Sequence, residues 1–375
     1  MKIQFDPKAA RQIREFDHSS LTSSPSNTVD SHEIGEKAVA HIAEIFNTPL
    51  TGSYNWDYTV AEDRIKKLYE LGKTLNWNSD IHIDWAATPD WPDQPPRQLR
   101  TEHPLQNYPR YQQLTDQQKI QYQKHSQAWV ISQFLHGEQG ALLVASQLAS
   151  CAPTFNAKLY AASQTFDEAR HVEVFNRFIQ TKVGMSYPIS SSLKSILDKI
   201  LTDPRWDLKF IGMQIIIEGL ALAAFNTIKQ STQDPVLKQL IELVIRDEAR
   251  HVTFGVNYLA DFIQTLTDQE KAERAEFAYE ACVISRERLM QIEVWQHWGF
   301  NVDEVKAIIL KGGVLSQFQN NLFSRVLPNL KRIGLLTDHI RPKFEALGIL
   351  DYENWPDDGE IDWSTLAQPL PSAQR

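Results

Sequence analysis

From about residue 115 to residue 347, apolar side chains recur at three- and four-residue intervals, the spacing that gives a helix one buried face. The pattern predicts long helices over 115–150, 154–183, 206–230, 235–265 and 268–297, and shorter ones over 302–310, 315–334 and 339–347. Two amphipathic stretches, 32–47 and 59–76, precede them. End signals agree with several of these boundaries. Thr115 with Gln118 and Thr267 with Glu270 have capping-box spacing, and Asp234-Pro235 sets an N-cap residue before a proline at the first helical position. A polar stretch at 19–31 belongs to a leader before the pattern begins, and a Pro/Trp-rich stretch at 84–98 interrupts it and suits neither helix nor central strand. No convincing alternation of apolar and polar residues marks a strand, so the expected fold class is all-α with sheet at most a minor feature.

Composition narrows the class without naming a function. Of 375 residues, 42% are hydrophobic and 23% charged, which excludes disordered and collagen-like chains. A formal charge of −9 without a Lys/Arg cluster argues against a nucleic-acid surface or an anionic-membrane surface. Cys151 and Cys282 are too few for a disulfide framework or a cysteine-rich metal site. The first residues lack signal-peptide character, and the greasiest run, Phe210 to Phe225, carries Glu218 and falls short of a bilayer span. A cytoplasmic location is expected. The expected organisation is a polar leader at 1–31, one helical domain at 32–348 and a C-terminal tail at 349–375.

One internal repeat changes the picture. The hexapeptide DEARHV occurs at 167–172 and again at 247–252, and each copy has another Glu 30 residues before its own, Glu138 and Glu218. Residues three apart on a helix lie about 60° apart around the axis, so Glu168 shares a face with His171, and Glu248 with His251. The midpoints of the two 30-residue intervals are Pro153 and Gln233, the latter within STQDP, and both read as turns. Two helix hairpins folded there bring Glu138, Glu168, His171, Glu218, Glu248 and His251 together. None of the four Glu has a Lys or Arg at its three- or four-residue positions, and four carboxylates on apolar stripes would be costly to bury. Two divalent cations would neutralise them, and oxygen-rich ligation with one imidazole per ion suits iron or manganese. Asp167 and Asp247 are candidates to hold the imidazole N–H groups, from their own helix or across the site, with Arg170 and Arg250 holding the aspartates in turn. His136 lies about 200° around the helix from Glu138 and is not counted as a ligand.

These residues resemble the ferritin-like dimetal-carboxylate superfamily, with one Glu on each of two bundle helices and Glu-x-x-His on each of the other two. The resemblance covers roughly 115–265 and implies a four-helix bundle core with additional flanking helices. The Asp-Glu-x-Arg-His signature is closer to the oxygenase and ribonucleotide-reductase-like branch than to ferritin. That branch implies two iron ions, Fe/Fe or Mn/Fe, with O2 as co-substrate. Some positions depart from its subfamilies. Phe175 stands where radical-generating reductase subunits carry tyrosine, Leu222 where hydrocarbon hydroxylases carry threonine, and Val244 where arylamine N-oxygenases carry a third histidine.

The functional expectation is an O2-dependent dimetal oxygenase or oxidase acting on a small, largely apolar or aromatic molecule. Ala141, Leu142, Phe175, Ile215, Leu222 and Phe225 are candidates to line its pocket, with Gln214 as a polar contact. The competing expectations are an iron-handling ferroxidase or peroxidase, and a radical-generating partner subunit. The implied partners are a small-molecule substrate and an external electron donor, with a homodimer as one candidate assembly and neither nucleic acid nor membrane.

Overall fold

The computed structural model describes residues 13–16, 44–59, 63–88, 104–287, 290–311 and 314–360. Four long helices form its centre, and three of them start at a side-chain cap, Thr115, Thr154 or Asp234. Helix α1 (Asp63–Thr74), α2 (Ser79–His82) and α3 (Pro109–Gln112) precede α4 (Asp116–Cys151), whose N-cap Thr115 makes the reciprocal capping box with Gln118. Helix α5 (Phe155–Phe178) follows after a three-residue turn that contains Pro153, and α6 (Ser191–Thr202) leads to α7 (Trp206–Ser231). Asp234 caps α8 (Pro235–Gln264) through the backbone N–H groups of Val236 and Leu237. Both expected hairpins are present: α4 packs on α5, and α7 on α8.

Helices α9 (Asp268–Glu287), α10 (Ile292–His297), α11 (Val302–Lys311), α12 (Val314–Arg332) and α13 (Arg341–Ala346) complete the chain. Helix α12 lies against α7, while α1 lies against α5 and α8. The one sheet among the described residues is a two-stranded ribbon, β1 (Arg14–Glu15) with β2 (Met185–Ser186), so part of the leader is held. The main core runs through both hairpins and includes Leu148, Ile196, Ile200, Ile211, Ile215, Leu222, Phe254 and Leu259. Each such fully buried aliphatic side chain contributes roughly 2 kcal/mol of transfer free energy. A second, aromatic core of Tyr108, Tyr111, Tyr122, Trp129, Tyr187, Trp295 and Trp298 packs the early part of α4 against α10 and neighbouring loops.

Several expectations are corrected. Residues 44–47 are not helical but belong to an extended strap that exposes Ile45; the rest of 32–47 lies outside the described residues. Ser53 Oγ on that strap donates to the carbonyls of Cys151 and Ala152, and the Asn55 amide donates to that of Pro153. The strap thereby satisfies carbonyls left open where α4 ends, which an extended chain can reach. The helix expected over 268–297 is two helices, because Met290, Val294 and Trp295 leave the α9 direction to join the aromatic core. Helix α6 was not expected, although Leu193, Ile196, Leu197 and Ile200 have helical spacing behind the N-cap Ser190. Most of the 84–98 stretch and residues 361–375 of the tail lie outside the described residues.

Two segments depart from α geometry. Ile179–Val183 and Ile211–Ile217 are π-helical, the second ending immediately before Glu218. Helix α7 is long and apolar enough to cross a membrane, yet 83% of its most apolar window is buried by protein. It is an interior helix of the bundle, with Glu218 facing inward.

Candidate metal centre

The four long helices bring all six repeat residues into one buried cluster. Glu168, His171 and His251 have no solvent exposure, and Glu138, Glu218 and Glu248 almost none. Two groups have ligand-type atoms within 4.8 Å of one another: Glu138, Glu168, His171 and Glu248 in one, and Glu168, Glu218 and His251 in the other.

Distances separate the roles of the carboxylates. His171 Nδ1 lies 3.2 Å from Glu138 Oε2, from Glu168 Oε2 and from Glu248 Oε1. His251 Nδ1 lies 3.1 Å from Glu168 Oε1 and 3.7 Å from Glu248 Oε2. Glu168 and Glu248 therefore turn one oxygen toward each imidazole, the disposition of bridging carboxylates. Glu138 belongs to the His171 position and Glu218 to the His251 position.

The imidazoles are pinned from outside the cluster by a crossed arrangement. His171 Nε2 lies 3.2 Å from Asp247 Oδ2, and His251 Nε2 lies 3.2 Å from Asp167 Oδ2. Of the two arrangements left open by the sequence, the contact is the one across the site. Arg170 Nη2 donates to Asp167 and, at 3.1 Å, to Asp247; Arg250 Nη2 donates to Asp247 at 2.6 Å and to Asp167 at 3.1 Å. Trp77 from the segment after α1 adds its indole N–H to Asp247 at 2.7 Å, and Arg170 donates to the Trp77 carbonyl.

This geometry fits a pair of cations. An ionised Asp only accepts, so each imidazole carries its hydrogen on Nε2 and, when neutral, aims the Nδ1 lone pair at glutamate oxygens. Lone pairs facing carboxylates repel unless a cation or proton lies between them. Glu218 Oε2, Glu248 Oε2 and His251 Nδ1 are buried without a hydrogen-bond partner among the described residues, although a cation would use all three. Without a cation, protons take its place. Burial pushes Glu138 up to about 8 and Glu218 well above the usual carboxylate range, the charge of Glu248 adding to both. Against the downward pull of burial, Asp247 and the glutamates hold His171 well above its ordinary value, and Glu168 and Asp167 do the same for His251. Against the upward pull of burial, His251 and His171 hold Glu168 low, and Arg250 and His171 hold Asp247 low.

The model of the family described as p-aminobenzoate N-oxygenase AurF matches residues 59–309. The chain belongs to this family. That places it in the oxygenase and ribonucleotide-reductase-like branch of the ferritin-like dimetal-carboxylate superfamily, so the departure at Val244, where a third histidine was implied for arylamine N-oxygenases, does not take the chain out of the N-oxygenase family. Uncharacterized proteins of Mycobacterium tuberculosis (strain H37Rv) and Mycobacterium bovis are each 24% identical over 220 residues, 56% of this chain. The chain spans 63% of the length of these curated relatives. Among solved structures, two variants of an R2-like ligand-binding oxidase with Mn/Fe cofactors are each 20% identical with a TM-score of 0.43. The match covers 70% of this chain in one case and 80% in the other, and 94% of each oxidase chain.

The pocket differs from expectation. Beside the cluster is a cavity of about 20 Å³, lined by Phe134, Gly137, Glu138, Ala141, Ile217, Glu218, Ala221 and Glu248. Its volume suits a single water, which needs roughly 10–15 Å³. Ala141 alone among the expected pocket residues lines it. Phe175 and Phe225 stack with each other and pack at a tilt against Phe134, behind the wall. Ile215 and Leu222 are spent on the main core, and Leu142 is half-buried away from the cavity. Gln214 points instead toward Gln164. A larger groove of about 610 Å³ is lined by Arg64, Trp206, Tyr258 and Phe262, with none of the six cluster residues. Tyr258 packs there against Trp206, Phe210 and Phe254. His136 lies 2.9 Å from the Tyr187 carbonyl, away from the cluster.

Two residues of the site went unread in the sequence, Trp77 and Gln164. Gln164 is fully buried one turn before Glu168, and its amide nitrogen donates to Glu168 Oε1 at 3.1 Å and to Glu218 Oε1 at 2.8 Å. A polar side chain one turn from a candidate ligand was the available signal. Trp77 had none, because its partner Asp247 is distant in sequence.

Proposed function

We propose that the protein is an O2-dependent non-haem dimetal oxygenase or oxidase, with Glu138, Glu168, His171, Glu218, Glu248 and His251 as ligands. The observation that carries this reading is the pair of carboxylates, Glu168 and Glu248, each turned toward both inward-facing Nδ1 atoms. Two iron ions, or one manganese and one iron, would supply the electrons that reduce dioxygen. The chain's own residues do the rest. Asp247 and Asp167 fix the hydrogen on each Nε2 and so keep Nδ1 free for ligation. Phe134, Ala141, Ile217 and Ala221 exclude bulk water from the cavity side.

The family's description makes an aromatic amine the first substrate class to test; an external electron donor and a cytoplasmic setting are further parts of this proposal. A ring exceeds the cavity, so substrate entry requires displacement of its wall, of which Phe134 is the largest side chain. The same small volume supports a second reading, oxidation of iron itself. Metal-free protein loaded anaerobically with Fe2+ and then exposed to O2 distinguishes them. The oxygenase should hold two ions per chain and consume p-aminobenzoate or a related arylamine when a reductant is supplied. Repeated oxidation of further Fe2+ without organic turnover would establish the second reading. Glu168→Ala and His251→Ala should lose stoichiometric metal and O2 reactivity while remaining largely helical by circular dichroism; normal metal content in both would overturn the ligand assignment.

A further inference from the structure

The offset of 80 between the two DEARHV copies relates each half of the site to the other: Glu138 to Glu218, Glu168 to Glu248 and His171 to His251. Applied to the residues one turn before the glutamates, it relates Gln164 to Val244 and Gln214 to Phe134. The charged cluster is thus nearly symmetric, while its surroundings are not.

The amide of Gln164 acts on one side. It holds Glu218, the carboxylate of the His251 position, and the Glu168 oxygen that faces His251. Its orientation is fixed by Gln214, whose amide nitrogen donates to Gln164 Oε1 at 3.4 Å. Gln214 reaches this place from the π-helical part of α7, and Gly255 on α8 makes room for it, since a Cβ there would lie 2.5 Å from Gln214 Cβ. On the opposite side, Val244 and Phe134 have no group to donate. Glu138 has His171 as its hydrogen-bond partner among the described residues, and Phe134 and Glu138 both line the cavity.

Building on the dimetal reading, we propose that Gln164, oriented by Gln214, is a positioning residue that makes the two ion positions unequal. The His251 position is the tight one, its carboxylates held by an amide before any ion arrives. The cavity touches both positions, through Glu138 and Glu218, but the His171 position, where Val244 and Phe134 stand in place of the two glutamines, has no such amide and is the weaker and exchangeable one. A held carboxylate loses less freedom on ligation, and changing such an outer partner typically alters metal affinity about 10–100-fold.

The test uses the full chain, freed of metal, titrated with Mn2+ while free Mn2+ is read from its electron paramagnetic resonance signal. Two binding events are expected. Glu138→Ala should retain the tighter event and Glu218→Ala the weaker. Gln164→Leu should weaken the tighter event about tenfold or more and leave the other within about threefold. Gln214→Leu should shift the same event in the same direction by less, and it keeps the test open if Gln164→Leu fails to fold. Two events of equal affinity in the parent chain, or events that fall together or not at all in folded Gln164→Leu and Gln214→Leu, would overturn this inference and leave the dimetal reading standing. A parent chain that binds no Mn2+ would overturn both.

Discussion

At the scale of single residues, the site depends on which atom of each imidazole holds the hydrogen. Asp247 accepts from His171, Arg170, Arg250 and Trp77 and is fully buried, so its charge has four donors arranged around it. Asp247→Asn keeps the shape, removes the charge and replaces an acceptor oxygen by a donor. Affinity for the ion beside His171 should fall about 10–100-fold, measured by the same Mn2+ titration. Arg250 would lose one of its two buried counter-charges, so the melting temperature should also fall, since breaking a buried pair costs roughly 3–5 kcal/mol when no partner remains and less when one does. An unchanged Mn2+ affinity would show that Asp247 does not control the imidazole. These contacts were partly legible in the sequence. The aspartates and arginines were visible inside DEARHV, but the choice of the aspartate across the site over the same-helix one was not, because helical spacing speaks only for the same-helix residue and the other is placed by the approach of a neighbouring helix.

At the scale of elements, local pattern carried a long way where helices bury one face. The turns at Pro153 and Gln233 lie where the 30-residue intervals fold in half, which sets the ligand heights on both hairpins. Pattern failed where an element answers to something outside itself. The 44–47 segment is pulled into a strap that caps the end of α4, and α9 stops because its continuation belongs to another core. The π-helical stretch of α7 was invisible for the same reason: its residues are helix-compatible, and only packing against α8 shows where the phase slips. Close approach of α7 and α8 at Gly255 offers a test of that packing. Gly255→Ala should displace Gln214, destabilise the protein by about 1–3 kcal/mol in urea unfolding and weaken the tighter Mn2+ event. Full stability and unaltered binding would mean the helices shift apart freely.

At the scale of the whole molecule, two cores share α4. Its later part carries Glu138 in the bundle, and its early part carries Tyr122, His125 and Trp129 in or beside the aromatic core. Burial, with a smaller contribution from His297, depresses His125 to about 4, and its Nδ1 lies 2.8 Å from the Tyr187 hydroxyl. Its folded value is below the unfolded value of about 6.5, so between the two the unfolded chain binds more protons. The stability it contributes is present above about 6.5 and is lost as pH falls toward 4. The drop in urea midpoint from pH 7 to pH 5 should therefore be smaller in His125→Gln than in the parent chain; an equal drop would place the pH sensitivity elsewhere.

The sequence by itself determined the helical class, the two-hairpin register and the six residues with ligand chemistry, because each follows from spacing along a single helix or from the distance to a turn. The tertiary structure alone decided which carboxylates face both imidazoles, which aspartate meets which histidine, how little space the cavity leaves, and on which side Gln164 and Gln214 stand. Those are properties of the rotation and approach of neighbouring helices. Helix rotation is set by packing summed over the whole core, and no local spacing encodes it.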